Sequence, residues 1–273
     1  TQEVAYDSLL KQRRQRVHRR IARTIEELYA DRLEEHYEMI AHHYERSENA
    51  EKAINYLILA GEKSNKHNAV QAASEFFQKA LELKEKEGIQ LDLEKNERLH
   101  RGRARAALGI GDIDTAAEGY KKIIEISQRE GMLDQERQGL IGLTSMMYMW
   151  PVRVEAENTL REAITWAREK EDKAFESITL SNMGHCTTVY GDPQKAIQMA
   201  LDAERIATEI GKGLPILTAR ITRSFVERVL GNPKKAVELT EGMFESLHRS
   251  YSLIPLMNMS LVRGTALAEM GRI

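Results

Sequence analysis

The sequence contains one cysteine, five prolines and no apolar run approaching the length of a bilayer crossing. A single thiol, Cys186, excludes an internal disulfide framework and suits a reducing compartment. Crossing a membrane as a helix takes about 20 predominantly apolar residues, and no stretch offers them. An excess of one charge is missing too. The 273 residues carry 40 Lys plus Arg against 42 Asp plus Glu, which exerts no global pull toward nucleic acid or a membrane. Thr1 does not open a signal peptide, because charged, helix-favouring sequence follows at once. The start without Met and the stop at Gly271-Arg272-Ile273 are read as a piece of a larger cytoplasmic protein. Scarce proline and plentiful Leu, Ala, Glu, Lys and Arg favour helix throughout.

What the chain does have is a turn recurring every 40 residues, at Gly111, Pro151, Gly191, Gly231 and Gly271. Other columns keep its register. Ala104, Thr144, Gly184, Ser224 and Gly264 precede the turn and are small; Ala116, Ala156, Ala196 and Ala236 follow it. Small residues there let two helix axes approach closely. Ala106, Met146, Cys186, Val226 and Ala266 supply an apolar face, as do Ile110, Trp150, Tyr190, Leu230 and Met270. A fixed period of this length predicts stacked helical hairpins. The expected fold is an all-α right-handed superhelix, an α-solenoid of about six hairpins with about 40 residues per repeat.

Three segments are expected: a basic helix within 1–30, hairpins over 31–90, and the regular array over 91–273. The first helix spans Tyr6 to Leu28, with Leu10, Val17, Ile21, Ile25 and Leu28 as its apolar face. Arg13, Arg14, Arg16, Arg19, Arg20 and Arg23 form a basic patch, and the acidic stretch from Glu34 to Glu51 is expected to answer it. Asn68 reads as a helix cap, and Gly88 as a helix stop. The array then predicts helices Asp92–Gly109, Ile113–Glu130, Asp134–Trp150, Val152–Lys170, Lys173–Tyr190, Pro193–Ile210, Leu214–Leu230, Pro233–Ser250 and Leu253–Met270. Pro193 and Pro233 sit where a missing N–H costs nothing.

This pattern resembles the tetratricopeptide repeat: Gly184, Gly191, Asp192 and Ala196 match it best. Tyr37, Ile40, Ala41, Tyr44, Ala53, Leu57 and Ala60 fit nearly as well, as do Ala73, Phe77, Ala80 and Leu81. The aromatic of the second helix is kept as Tyr120 but replaced by Leu160, Ala200 and Thr240, and the period is longer than usual. The residues from Glu3 to Leu10, Arg13-Arg14, His18 to Ala22 and Ala41 to Tyr44 are similar to a junction in signalling ATPases of the STAND type. There a winged-helix region passes into a C-terminal repeat array. The resemblance implies a sensor or scaffold arm whose ATPase or DNA-binding domain lies upstream in the parent chain.

Catalytic constellations are not singled out by the periodicity, and no enzyme activity or cofactor is expected. Gly109-Ile110-Gly111-Asp112 follows a helix rather than a strand and belongs to the turn column, so it is no phosphate loop. His36, His42 and His43 lack metal-ligand spacing, and Cys186 falls in a buried column. The resemblance instead implies a concave groove lined by the first helix of each hairpin. Its candidates are Arg98, Arg101, Arg105, Tyr148, Ser181, His185, Phe225 and Arg228, basic at one end and apolar at the other. Charge complementarity suits a protein or peptide segment with acidic and apolar parts. The residues that bind a C-terminal carboxylate in chaperone-type repeats have no equivalents here. A peptide-pheromone receptor of the repeat type is the alternative. Nucleic-acid contact through the basic helix is disfavoured, since no aromatics are interleaved for stacking.

Overall fold

The computed structural model describes residues 11–47, 49–147, 153–211, 213–243 and 253–272, and these are helical with no strand among them. The helices are α1 (Lys11–Leu28), α2 (Tyr37–Glu45), α3 (Ala50–Lys66), α4 (Val70–Glu87), α5 (Leu93–Gly109), α6 (Ile113–Glu130) and α7 (Leu133–Ser145). Then come α8 (Arg153–Glu169), α9 (Lys173–Val189), α10 (Pro193–Ile210), α11 (Gly213–Val229), α12 (Pro233–Leu239) and α13 (Leu253–Glu269). A short 3-10 segment, Ala30–His36, joins α1 to α2.

Local chemistry explains the punctuation. The Asp92, Asp112, Asp172 and Asp192 carboxylates accept hydrogen bonds from the amides three residues on, capping α5, α6, α9 and α10. Gly111, Gly191, Gly231 and Gly271 all take left-handed φ, from +66° to +91°, which is the conformation that makes this column glycine. A second column, half a period away, was not anticipated. Gly131, Glu171 and Gly211 also adopt left-handed φ, each closing one hairpin before the next begins.

Several expectations need correcting. Asn68 does not cap α4; it takes φ of +57° in the turn, and Ala69 occupies the cap position without a side-chain bond. Helix α7 stops at Ser145, where the Thr144 and Ser145 hydroxyls donate back to the Leu140 and Gly142 carbonyls. Helix α12 ends at Leu239; the Thr240 hydroxyl donates to the Val237 carbonyl and Gly242 turns left-handed. Leu10, Tyr148, Trp150, Pro151 and the stretch 244–250 lie outside the described residues.

The chain divides into two compact units, Thr1–Gly139 and Leu140–Ile273. In the first unit α3, α4, α5 and α6 pack in sequence, and α3 also touches α5. The core gathers Ile40, Tyr44, Ile54, Leu57, Phe77 and Leu99. Phe77 of α4 is completely buried between the backbones of α3 and α5, where Gly61 and Gly102 face its ring. A Cβ added at Gly61 would lie 2.7 Å from Phe77 Cζ, and one at Gly102 would overlap the ring further.

In this unit α1 buries His18, Ala22 and Ile25, whereas Val17, Ile21 and Leu28 are exposed. The helix is therefore rotated from the orientation its aliphatic stripe predicts. Polar anchors explain the rotation. The Glu26 carboxylate accepts from the Tyr44 hydroxyl at 2.7 Å, the Tyr56 hydroxyl at 2.7 Å and Lys52 Nζ at 2.8 Å. Burial pushes the Glu26 pKa up, but the bonds from Lys52, Tyr44 and Tyr56 outweigh it and leave the group below its ordinary value. Leaving those buried hydroxyls unpaired would cost more than exposing three aliphatic side chains partway.

The second unit repeats the hairpin plan: α9 packs on α10 and α11, and α11 on α12 and α13. Two serines stitch its hairpins, Ser177 donating to the Ala203 carbonyl at 2.8 Å and Ser224 to the Ala236 carbonyl at 2.7 Å. Ala156, Ala196 and Ala236 are wholly buried, as the small-residue column requires. Cys186 is buried with them, and desolvation pushes its thiol up to about 12, which removes nucleophilic thiolate at neutral pH.

The glycines distinguish two kinds of close approach. At Gly184 an added Cβ would meet Thr222 Cγ2 and the Ala196 carbonyl at 3.4 Å, an ordinary contact. Gly184→Ala is therefore expected to stabilise by about 0.5–1 kcal/mol through helix propensity. Gly102→Ala should destabilise by about 1–3 kcal/mol, because the Phe77 ring must move. Urea unfolding of the two variants checks this; destabilisation of both alike would refute the distinction.

Candidate ligand-binding face

The first helix of each hairpin carries the candidate site. In the first unit, α3 and α5 enclose a cavity of about 320 Å³ lined by Glu62, Asn65, Lys66, Arg98, Arg101, Gly102 and Arg105. Four cations there face one carboxylate. Arg98 is held by Glu62, with Nε to Oε1 at 2.9 Å and a second bond from Nη2 to Oε2. This bidentate pair fixes the guanidinium plane. Arg101 Nε donates to Glu97 Oε1 one turn back, at 2.7 Å. Asn65 Nδ2 donates to the Gly102 carbonyl at 3.0 Å, fastening α3 to α5. Arg105 is exposed and makes no ion pair among the described residues. Two arginines are thus oriented by carboxylates, and a third is left with unused donors.

Arg98, Arg101 and Arg105, the basic end of the groove that the resemblance implies, come together in one cavity. Glu62, Asn65 and Lys66 of α3, which complete the lining, were not among the expected groove residues. A signal was available: Asn65 stands 40 residues before Arg105, so carrying the register back one period would have reached it.

In the second unit the His185 ring of α9 stacks on the Phe225 ring of α11, with centroids 4.5 Å apart and planes inclined by 14°. The Arg228 guanidinium lies 5.8 Å from the Phe225 centroid and donates to Glu269 of α13 at 2.7 Å. Desolvation pushes His185 down to about 4, so the ring is neutral at pH 7 and stacks on Phe225 without a charge. Ser181 is not presented on this face. Its side chain is buried and its hydroxyl donates to the Ser177 carbonyl at 2.9 Å. One and two periods of 40 residues beyond Ser181, Ile221 is buried while Leu261 is exposed, so equivalent positions do not share one surface. Tyr148 lies outside the described residues.

The basic patch on α1 is divided. Arg13, Arg16, Arg20 and Arg23 are exposed, and Arg14 and Arg19 are half-buried. Among the described residues, no ion pair joins the acidic stretch to the four exposed arginines. Glu34 pairs with Lys66 and Glu38 with Lys63, both lysines of α3. Among the described residues, no group of three or more His, Cys, Asp or Glu side chains is placed to hold a metal ion. No helix among them is long and apolar enough to cross a membrane.

No protein-family model and no curated protein sequence matches the chain. Solved structures do. A Rap protein complexed with Competence and Sporulation Factor aligns at 16% identity and a TM-score of 0.60, covering 86% of this chain and 69% of that one. NprR in complex with its cognate peptide NprX aligns at 15% identity and a TM-score of 0.61, covering 95% and 74%. A STAND protein with a tetratricopeptide repeat sensor from Pyrococcus horikoshii aligns at 16% identity and a TM-score of 0.56. That alignment covers 90% of this chain and 38% of the other. These likenesses establish a shared fold: the chain is an all-α, tetratricopeptide-like array of helical hairpins.

Proposed function

We propose that this chain is a non-catalytic interaction domain that binds an acidic segment of protein or peptide on the first-helix face of its first unit, formed by α3 and α5. The observation that carries the reading is the α3–α5 cavity, where Glu62 and Glu97 hold Arg98 and Arg101 beside Arg105, which has no ion pair among the described residues. Oriented guanidinium groups favour carboxylates, and pre-ordering them lowers the cost of binding. Acidic side chains along the segment, rather than its terminal carboxylate, are the expected partners. The second unit, taken by itself, offers the uncharged His185–Phe225 ring pair as a surface for stacking with a side chain. The like-folded NprR structure, solved with its cognate peptide, supports a peptide as ligand, and the like-folded Rap structure is also a complex, with Competence and Sporulation Factor.

A finer reading makes the chain the sensor or scaffold arm of a larger signalling protein. The junction-like residues near the first helix and the likeness to a STAND repeat sensor support it. Ligand binding would then shift a conformational equilibrium, which demands different affinities for the two states. Equal peptide affinity of the parent chain with and without nucleotide would exclude such a switch.

Fluorescence anisotropy with labelled heptapeptides of mixed Glu, Asp and Leu content tests the cavity. Arg105→Glu is expected to weaken binding about tenfold or more, and raised salt should weaken it further. Lys86→Glu, an exposed charge reversal on α4, should change affinity by less than about twofold. Equal losses in the two variants, or no saturable binding by any peptide, would refute the assignment.

A further inference from the structure

Helix α1 carries two stripes that neither its own core nor the α3–α5 cavity uses. At about 100° per residue, Arg13, Arg16, Arg20 and Arg23 fall within an arc of about 80°, opposite the buried His18, Ala22 and Ile25. None of the four forms an ion pair among the described residues. The only acid in that arc is Glu27, at its C-terminal end. Beside it runs a second stripe, about 40° wide, of Val17, Ile21 and Leu28. These three are 44%, 37% and 69% exposed, although aliphatic side chains of a packed helix ordinarily face the core.

We infer that this outward face of α1 docks an amphipathic helix of a partner protein, one bearing a row of carboxylates beside a row of aliphatic side chains. Each stripe narrows the occupant. A nucleic-acid backbone would engage the arginines but has no aliphatic surface to cover Val17, Ile21 and Leu28. A membrane would favour a broad apolar face with aromatic anchors, whereas this stripe is narrow and wholly aliphatic. A second copy packed through the same helix would set arginine against arginine. An acidic amphipathic helix satisfies both stripes at once. Its i, i+3, i+4 spacing repeats that of α1, so carboxylates and aliphatics stay in register over the roughly 15 Å from Arg13 to Arg23.

The test uses the whole chain and a labelled helical peptide with Leu on one stripe and Glu on the next. Comparison probes are the same peptide with Gln for Glu, a short DNA duplex, and phosphatidylserine-containing vesicles. The acidic peptide is expected to bind saturably and more tightly than every comparison probe. The double variant Arg16→Glu/Arg20→Glu should weaken it about tenfold or more, and Ile21→Ser about fivefold. Lys86→Glu should leave it within about twofold. All these positions are exposed, and circular dichroism melts verify that the variants remain folded. Loss on charge reversal without loss in Ile21→Ser would overturn the inference, as would tighter binding of duplex or vesicles, equal binding of the Gln peptide, or no saturable binding.

Discussion

Phe77→Ala is expected to destabilise the first unit by about 3–5 kcal/mol, the largest single-residue effect on its packing. The ring is completely buried and its neighbours are backbone, because Gly61 on α3 and Gly102 on α5 face it directly. Flexible side chains could swing into a vacated space, but two helix backbones pinned by Asn65 and the Arg98–Glu62 pair cannot follow it easily. The cavity left behind should therefore remain largely unfilled. Phe225 provides the comparison, since it is only half-buried, with the His185 ring stacked on it and the Arg228 guanidinium 5.8 Å from its centroid. Its replacement by Ala should cost less than half as much, on the order of 1–2 kcal/mol. Guanidinium unfolding distinguishes the two; equal losses would show that Phe77 does not wedge α3 from α5. The same variant should loosen the cation-lined cavity, because the ring sets the separation of the helices that carry it.

Acid lability is the second large effect expected. His100 is only 7% exposed, neither ring nitrogen finds a partner among the described residues, and it is pushed down to about 4. Burial is the main cause, with Lys84, Arg103 and Lys122 nearby adding to it. The unfolded chain takes up a proton near pH 6.5 that the folded chain refuses until about pH 4. Stability is therefore complete above 6.5 and falls as the pH drops between these values. His100 alone accounts for a loss on the order of 3 kcal/mol across that window. His43 and His185 are also pushed down to about 4, chiefly by burial, and act in the same direction. Below about pH 4.5 the carboxylates of Glu26 and Glu176, whose hydrogen bonds hold them under their ordinary values, begin to lose their contribution as well. Denaturant titrations from pH 7 to 4 measure the slope. His100→Leu should flatten it, and an unchanged slope would mean that His100 is not held neutral.

Much of the array could be read before any coordinates. The 40-residue column anticipated helix boundaries at α6 and α10 to the residue, because turn glycines and capping aspartates are local signals whose chemistry does not depend on distant contacts. Arg98, Arg101 and Arg105, which line the cavity, were reached by another route, the resemblance to the tetratricopeptide repeat that puts first helices at a groove. The second column, at Gly131, Glu171 and Gly211, was equally periodic but concealed by its non-glycine member.

Other features depended on contacts between segments far apart in the chain. The rotation of α1 could not be foreseen from its aliphatic stripe, because it is set by Glu26 meeting Tyr44, Tyr56 and Lys52 of other helices. Nor does periodicity distinguish Ser181, turned into the core, from His185 on the adjoining face. The sequence by itself determined the helices, their turns and the hairpin repeat, since these follow from backbone conformation and the spacing of apolar residues. Only the tertiary structure decided which arginines are held by carboxylates, which remain available, and which face of α1 is left uncovered. Those outcomes turn on pairing and burial between helices, which local spacing does not encode.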